Sequence, residues 1–287
     1  MSIQTTVRRR AGRLIACCAG AALIATASGA VQAGNIILTG HDTDDHQAFN
    51  FVEWGITALV NNGDGSAAQQ PAVSNLSTKI GYIGNSSTNL ANTFGNYDNV
   101  SFYDLDLASW TNAFSDSNDV LVIGSGLDFI SAAGAATMAA QSAAFASYFN
   151  GGGNLFVNTH QGIGNPFYAF LPPIGNVNIS NLTTCSSETG TGTCMTPSAA
   201  GTASGLVIAD VVQASITHNQ FSPDPVFTVL ETYVPTGNAI TIGLFGGQIN
   251  TGGGFQGTPG VPGIPEPATL ALFGLGLLGL GAARRRR

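Results

Sequence analysis

The clearest indication of the fold lies in residues 119–158, which read DVLVIG at 119–124, SAAGAATMAAQSAAFASYFN at 131–150 and GGGNLFVN at 151–158. The first and last of these segments are short apolar runs, which are typical of strands buried on both faces of a parallel sheet. Between them, Ser131 can cap one long alanine-rich helix, and the three glycines stop it. The stretch therefore predicts a strand, a helix and a second strand.

The same alternation occurs on the N-terminal side. Apolar runs at 35–39, 79–84 and 100–105 predict three further strands. The apolar residues between Phe49 and Val60 recur at helical spacing, and the Asn-Asn-Gly at 61–63 ends that helix. Strands that alternate with helices predict an α/β domain: a doubly wound, mostly parallel sheet with helices on both faces.

The character of the chain changes beyond Pro172. Gly, Ser, Thr and Asn dominate to about residue 204, and short β-type runs follow at 206–212, 226–233 and 239–245. We expect these runs to be peripheral or edge strands that complete an exported domain of residues 34–245. Residues 246–263 are rich in Gly and Pro, which predicts a flexible linker.

Both ends of the chain are predicted to be targeting segments. Residues 1–33 read as a signal peptide, with arginines before an apolar stretch at 14–27 and small residues before Gly34. Residues 264–287 contain Pro265, Glu266 and Pro267, an uncharged stretch at 268–283, and Arg284, Arg285, Arg286 and Arg287. A helix over 268–283 would be about 24 Å long, a little short of a bilayer core of about 30 Å, and snorkelling arginines and local thinning could make up the difference. The arginines would then remain cytoplasmic.

The last two dozen residues resemble the PEP-CTERM sorting signal of diderm bacteria, which has a Pro-Glu-Pro motif, an apolar helix and a basic tail in this order. The resemblance implies that exosortase and the secretion machinery are partners, and that the helix holds the chain in the inner membrane transiently. It further implies a final place at the cell surface or in the extracellular matrix. Proteins with this signal are often linked to exopolysaccharide, so polysaccharide is a candidate partner. The alternative is a plain C-terminal membrane anchor.

The charge of the domain excludes one class of partner. All basic residues except Lys79 lie in the two targeting segments, while fifteen of the sixteen Asp and Glu residues lie between them. A domain with one lysine cannot neutralise a row of phosphates, so we expect no nucleic acid partner. Its acidity favours solubility and leaves cations, neutral polymers and proteins as ligands.

The cysteines agree with export. Cys17 and Cys18 belong to the predicted signal peptide, which leaves Cys185 and Cys194 in a polar stretch. Two cysteines in an exported chain predict one disulfide between them. The absence of a Cys-x-x-Cys pair or a nearby histidine makes a zinc site at these cysteines improbable.

The densest polar cluster is GHDTDDH at 40–46, directly after the first strand. The carboxyl end of a parallel strand is where open α/β sheets bind ligands. The cluster predicts a divalent-cation site at Asp42, Asp44 and His46. The alternative is structural: Asp44 or Asp45 caps the following helix, where acids favour the helix dipole.

Three histidines are candidates for acid–base catalysis. His41 follows the first strand, His160 follows the fifth, and His218 lies in a later segment. If they converge, they form a polar pocket able to carry out hydrolytic chemistry.

The order of strand, helix, glycines and strand at 119–162 resembles the class I glutamine amidotransferase-like group, including its ThuA-like relatives. The resemblance implies a flavodoxin- or amidotransferase-like sheet. In that group a cysteine nucleophile follows the fifth strand, where this chain has His160. Glutamine hydrolysis by the family mechanism is therefore not implied.

Two hypotheses about function follow. The first is an exported binding or structural module without catalytic activity, associated with exopolysaccharide or biofilm. The alternative is an extracytoplasmic metal- or water-dependent hydrolase acting on carbohydrate. The two predict different geometry, since an enzyme needs the imidazole and carboxylate groups within reach of one another.

Overall fold

The computed structural model of the protein describes residues 34–63, 77–126, 129–159, 167–171, 178–182, 194–213, 217–222, 225–249 and 254–256. All of them belong to one unit, Gln32–Gly263. The predicted signal peptide and sorting signal lie outside the described residues. Within those residues, no helix has both the length and the hydrophobicity to cross a bilayer.

The N-terminal half supplies the parallel part of the sheet. Its strands are β1 (Gly34–Thr39), β2 (Ile80–Gly84), β3 (Val100–Asp104), β4 (Val120–Ile123) and β5 (Asn154–Val157). They lie in the order β3-β2-β4-β5-β1, and each neighbouring pair is parallel. All five predicted strands are confirmed to within a residue or two. The order differs from the flavodoxin order 2-1-3-4-5, so flavodoxin-like wrapping is not confirmed.

The C-terminal half extends the same sheet with antiparallel strands. These are β6 (Asn178–Asn181), β7 (Met195–Pro197), β8 (Asn219–Ser222), β9 (Thr228–Tyr233), β10 (Ala239–Ile249) and β11 (Phe255–Gln256). Strand β10 pairs with β9 on one side, and on the other side with β1 and, at Ala239, with β8. It is therefore central, and the prediction that the run at 239–245 is peripheral was wrong. The sheet also continues past residue 245, because Ile249 pairs with Phe255.

The described helices are α1 (Phe49–Val60), α2 (Leu90–Thr93), α3 (Ala132–Ala139), α4 (Ser142–Asn150), α5 (Ala199–Ala203) and α6 (Ile208–Gln213), with 3₁₀ turns at Ala108–Phe114 and Tyr168–Phe170. Helix α1 begins and ends where the sequence predicts.

The long helix predicted after Ser131 is two helices. Ser131 does cap the first, since its hydroxyl accepts a bond from the Gly134 N–H at 3.0 Å. Between the two helices the chain forms a tighter, 3₁₀-type turn, in which the Gln141 N–H donates to the Met138 carbonyl at 2.8 Å. An i→i+3 bond of this kind interrupts the α-helical ladder.

The strand predicted at 206–212 is also wrong, because helix α6 occupies this stretch. Leu206 and Val211 are both buried, while Val207 and Ile208 between them are exposed. Buried residues five apart with exposed residues between them do not follow the period-2 alternation of a strand. The Asp210 carboxylate accepts a bond from the Val207 N–H at 3.2 Å, which fastens the start of this helix.

The sheet has a hydrophobic core on each face. Along β1, Ile36 and Leu38 point into one core and Ile37 into the other. Helix α4 covers the first face with Phe145, and helix α1 covers the second with Phe51. Each fully buried side chain of this size contributes roughly 1.5–3 kcal/mol relative to an exposed one. The prediction of helices on both faces is confirmed.

Candidate metal centre

The segment at 40–46 is fastened to the carboxyl ends of the neighbouring strands. The Thr43 hydroxyl donates to Asn158 Oδ1 at 2.6 Å, and the Asn158 amide donates to the Ile123 carbonyl at 3.1 Å. The Thr159 N–H donates to the His41 carbonyl at 3.0 Å. Residues that follow β1 and β5, together with the last residue of β4, thus hold the segment in one place, above the edge of the sheet that the sequence predicts to be functional.

A close backbone approach brings a distant segment to this edge. The His218 N–H donates to the Gly40 carbonyl at 2.9 Å. A Cβ atom on Gly40 would lie 2.0 Å from the Asn219 carbonyl oxygen, which is impossibly close. Glycine is required at position 40 because of this approach, which places His218 beside the residues after β1.

Asp42, His46 and His218 form the candidate metal centre. Asp42 Oδ2 lies 3.0 Å from His218 Nε2 and 3.3 Å from His46 Nε2. One ligand atom from each of the three residues lies within 4.8 Å of the other two. The two imidazole rings stack with their centroids 6.4 Å apart. In the part of the chain that the structure describes, this is the group of His, Cys, Asp and Glu side chains close enough to share an ion.

Exposure differs across the centre. The Asp42 side chain is 1% exposed, His218 is 17% exposed and His46 is 31% exposed. The carboxylate therefore forms the floor of the centre and the imidazoles form its rim. His46 Nε2 also lies 3.7 Å from Asp45 Oδ2, a more exposed acid at the same rim. The centre is anchored in the protein and open to solvent.

The two histidines control the charge of Asp42. Burial is the largest single influence and by itself raises the pKa of this carboxyl. The hydrogen bonds and positive charges of His218 and His46 act in the opposite direction and together outweigh burial. The pKa of Asp42 therefore lies below its ordinary value, and the group is ionised at neutral pH. An ionised carboxylate is the form that ligates metal ions.

The donor set fits a borderline transition metal. Imidazole nitrogen and carboxylate oxygen are both ligands of Zn²⁺, and zinc sites with three protein ligands keep a fourth position open. Mg²⁺ and Ca²⁺ prefer all-oxygen surroundings, which this group does not supply. The arrangement can therefore hold an ion of the zinc class with at least one position facing solvent.

Asp44 stands apart from this group, although the sequence predicts it as a ligand. Its Oδ2 accepts bonds from the Tyr82 hydroxyl at 2.5 Å and from the Ser125 N–H at 2.9 Å. Burial raises the pKa of Asp44 in spite of these bonds. Its carboxyl ties the segment to β2 and to the residue after β4.

The alternative role predicted for the acids, a cap on helix α1, was wrong. The residue before the helix is Ala48, no side chain caps the first turn, and that turn contains no acid. Asp44 is committed to Tyr82 and Ser125 instead. The chain makes a turn between the acids and the helix, in which the Ala48 N–H donates to the Thr43 carbonyl at 2.8 Å.

His41, a predicted catalytic candidate, is completely buried. Its Nε2 lies 3.0 and 3.1 Å from the two Glu231 oxygens, and its Nδ1 lies 2.9 Å from Thr217 Oγ1. Both ring nitrogens are therefore engaged within the protein, Nε2 by the carboxyl group of Glu231 and Nδ1 by the Thr217 hydroxyl. The structure therefore separates His41 from the open centre, although it adjoins Asp42 in sequence.

Comparison with protein families identifies the C-terminus. Residues 263–287 match the family model described as the PEP-CTERM protein-sorting motif. The chain carries a PEP-CTERM sorting signal. This motif implies recognition by exosortase and export to the cell surface.

No curated protein and no solved structure matches the chain. The resemblance to amidotransferase-like domains therefore stays a prediction.

Some predicted site residues fall outside the described part of the chain, namely His160, Cys185 and the sorting motif itself. Cys194 is disulfide-bonded, but its pairing with Cys185 stays a prediction. Sequence analysis missed Glu231. Its signal was weak: it is one acid within a run, TVLETY at 228–233, that otherwise reads as an ordinary strand.

Proposed function

We propose that this exported domain binds a transition metal ion of the zinc class through Asp42, His46 and His218, and acts by binding rather than by catalysis. The observation that carries the proposal is the convergence of one carboxylate oxygen and two imidazole nitrogens within 4.8 Å. Two of the three ligands come from residues after β1, and the third comes from a segment more than 170 residues further along the chain.

Charge and burial support the same conclusion. Between the two targeting segments, the chain has one basic residue, Lys79, against fifteen acids. The resulting negative electrostatic potential attracts cations. The buried Asp42 fixes one ligand, while the partly exposed His46 gives an ion a path to enter. A bound ion would exchange the contacts between Asp42 and the imidazoles for coordination bonds to all three groups.

Metal titration tests the proposal. We expect one Zn²⁺ per chain by calorimetry and elemental analysis of the purified protein, bound more tightly than Mg²⁺ or Ca²⁺. Asp42→Ala and His218→Ala should each abolish the heat of binding. Asp98→Ala is the matched control, because it removes the same charge from an exposed loop before β3, at the opposite edge of the sheet. Equal binding by wild type and Asp42→Ala would refute the site.

We further propose that the exported protein resides in the surface matrix, in association with exopolysaccharide. The support is the sorting signal, whose processing would release the domain from the membrane. Intact-mass analysis of protein from the native host should show the loss of residues 1–33 and of the arginine tail. A surface protein that retains Arg284–Arg287 would instead indicate a plain membrane anchor.

The predicted Cys185–Cys194 disulfide suits this oxidising location. Closing so short a loop should stabilise the domain by about 2–3 kcal/mol at most in the chain-entropy model. The support is that Cys194 is disulfide-bonded. Peptide mapping of the unreduced protein should recover the two cysteines in one linked fragment. Free thiols in the unreduced, denatured protein would contradict the pairing.

A metal-dependent hydrolase acting on carbohydrate is the second candidate. The observation that favours it is the open side of the centre, since a metal ion with three protein ligands can hold and activate a water. Turnover of neutral glycoside or sugar-ester probes by the Zn²⁺-loaded protein, lost in Asp42→Ala, would establish it. Binding of Zn²⁺ without turnover would leave the binding function.

A further inference from the structure

We propose that the buried network of His41, Glu231 and Thr217 positions Asp42 and His218, and so sets the affinity of the metal centre. This inference rests on the proposed metal site. Two members of the network are sequence neighbours of the metal ligands, because His41 precedes Asp42 and Thr217 precedes His218. The network does not coordinate the ion; it acts through the backbone on the positions of Asp42 and His218.

The backbone provides the first link. His41 and Thr217 form an isolated antiparallel β-bridge, which lies outside the named strands. Next to it, the N–H groups of His218 and Asn219 both donate to the Gly40 carbonyl, at 2.9 and 3.2 Å. The two segments that carry Asp42 and His218 thus meet at one short bridge, and the distance between the two ligands depends on it.

The side chains provide the second link. Thr217 Oγ1 lies 2.9 Å from His41 Nδ1, across the same bridge. On its other side the imidazole is held by both oxygens of Glu231, a residue of β9. The Thr241 hydroxyl of β10 donates to Glu231 Oε2 at 2.6 Å. The bridge is thereby clamped to two central strands of the sheet.

The burial of this network argues that it does more than hold the fold together. His41 and Glu231 are both fully buried. A buried histidine–carboxylate pair loses hydration that its mutual attraction seldom exceeds, so apolar residues of the same size would serve stability as well. Apolar residues, however, cannot fix the orientation of the metal ligands through hydrogen bonds. Polar partners behind metal ligands commonly fix ligand orientation, and their loss costs 10–100-fold in metal affinity.

The test compares two substitutions at one position. Thr217→Val keeps the shape of the side chain and removes the bond to the imidazole, whereas Thr217→Ser keeps the hydroxyl. We expect Thr217→Val to weaken Zn²⁺ binding at least tenfold, and Thr217→Ser to bind within about twofold of wild type. The visible spectrum of the Co²⁺-loaded protein should also change in Thr217→Val, because it reports the geometry of the ligands.

A control separates positioning from stability. Ser204→Ala removes another buried hydroxyl, which donates to the Gly201 carbonyl at 2.7 Å and has no link to the metal ligands. It should lower the melting temperature without changing the Zn²⁺ affinity. If Thr217→Val destabilises the domain but binds Zn²⁺ like wild type, the network is structural only and the inference is overturned. If wild type itself binds no Zn²⁺, the proposed function fails instead.

Discussion

Among the residues that the structure describes, two histidine–carboxylate clusters are neighbours in sequence and differ in access to solvent. His41 and Glu231 are sealed within the protein, whereas Asp42 with His46 and His218 opens at the surface. The same residue types therefore serve two different purposes. The sealed pair has partners on every polar atom of the imidazole and cannot exchange them, while the open cluster can exchange its internal contacts for an ion.

The separation follows from the geometry of extended chain. His41 and Thr217 face each other across a β-bridge, and successive side chains of an extended segment point in opposite directions. His41 and Thr217 therefore point inward, and Asp42 and His218 point the other way. A difference of one position in sequence decides between a sealed pair and an open site.

Breaking the sealed pair should have the largest effect. Glu231→Ala leaves His41 and the Thr241 hydroxyl buried without their acceptor. Loss of one partner of a buried pair destabilises by about 3–5 kcal/mol. Urea denaturation followed by circular dichroism measures the change. Glu231→Gln keeps an acceptor and should lose less, and equal losses for the two variants would show that a neutral acceptor cannot replace the carboxylate.

A third buried carboxylate, Asp44, has the Tyr82 hydroxyl and the Ser125 N–H as partners instead of a histidine, so it shows what a buried acid contributes without an imidazole. Asp44→Ala removes the acceptor of the Tyr82 hydroxyl and of the Ser125 N–H. Leaving these donors unsatisfied should cost about 2–3 kcal/mol in the free energy of unfolding. The double variant Asp44→Ala with Tyr82→Phe should recover part of the loss. No recovery would mean that the Tyr82 bond contributes little.

The open cluster should matter much less for stability. Asp42→Asn keeps the volume of the side chain and removes the charge that faces two partly exposed imidazoles. Asn keeps an acceptor for the imidazoles, which can also turn toward solvent, so the free energy of unfolding should fall by only about 1–2 kcal/mol. Denaturation without metal ions measures it. A loss as large as that of Glu231→Ala would contradict the distinction between a sealed and an open cluster.

The pKa values of Asp42 and Asp44 should also respond differently to the loss of His218. In wild type the pKa of Asp42 is lowered by His218 and His46 against the effect of burial. The stability from this lowered pKa is present above the unfolded value of about 3.9 and is lost as pH falls through the folded pKa. His218→Ala should raise the pKa of Asp42 above its value in wild type, because only His46 then counteracts the increase that burial causes.

Carbon-13 NMR titration of the Asp42 carboxyl checks this shift. The Asp44 carboxyl, whose pKa is raised by burial, is the internal control and should titrate alike in both proteins. An unchanged Asp42 titration would show that His218 does not hold this carboxylate.

The parallel half of the fold and the C-terminal sorting signal could be predicted from the sequence alone. Apolar runs alternating with helical patterns place β1 to β5 and helix α1 correctly, because burial on both faces demands continuous hydrophobicity. The C-terminal signal is local and linear, so its residues are recognisable without a fold. The cluster at 40–46 was placed at the correct edge of the sheet for the same topological reason.

The contacts between distant residues, in contrast, depend on the tertiary structure. The Gly40 carbonyl binds a segment near residue 218, and this contact selects His218 rather than Asp44 as the third member of the centre. Central placement of β10, and with it the pairing of Glu231 and His41, depends on long-range antiparallel contacts between β1, β10 and β9. Local patterns carry no information on such contacts, because strand partners are chosen by packing and backbone hydrogen bonding across the whole domain.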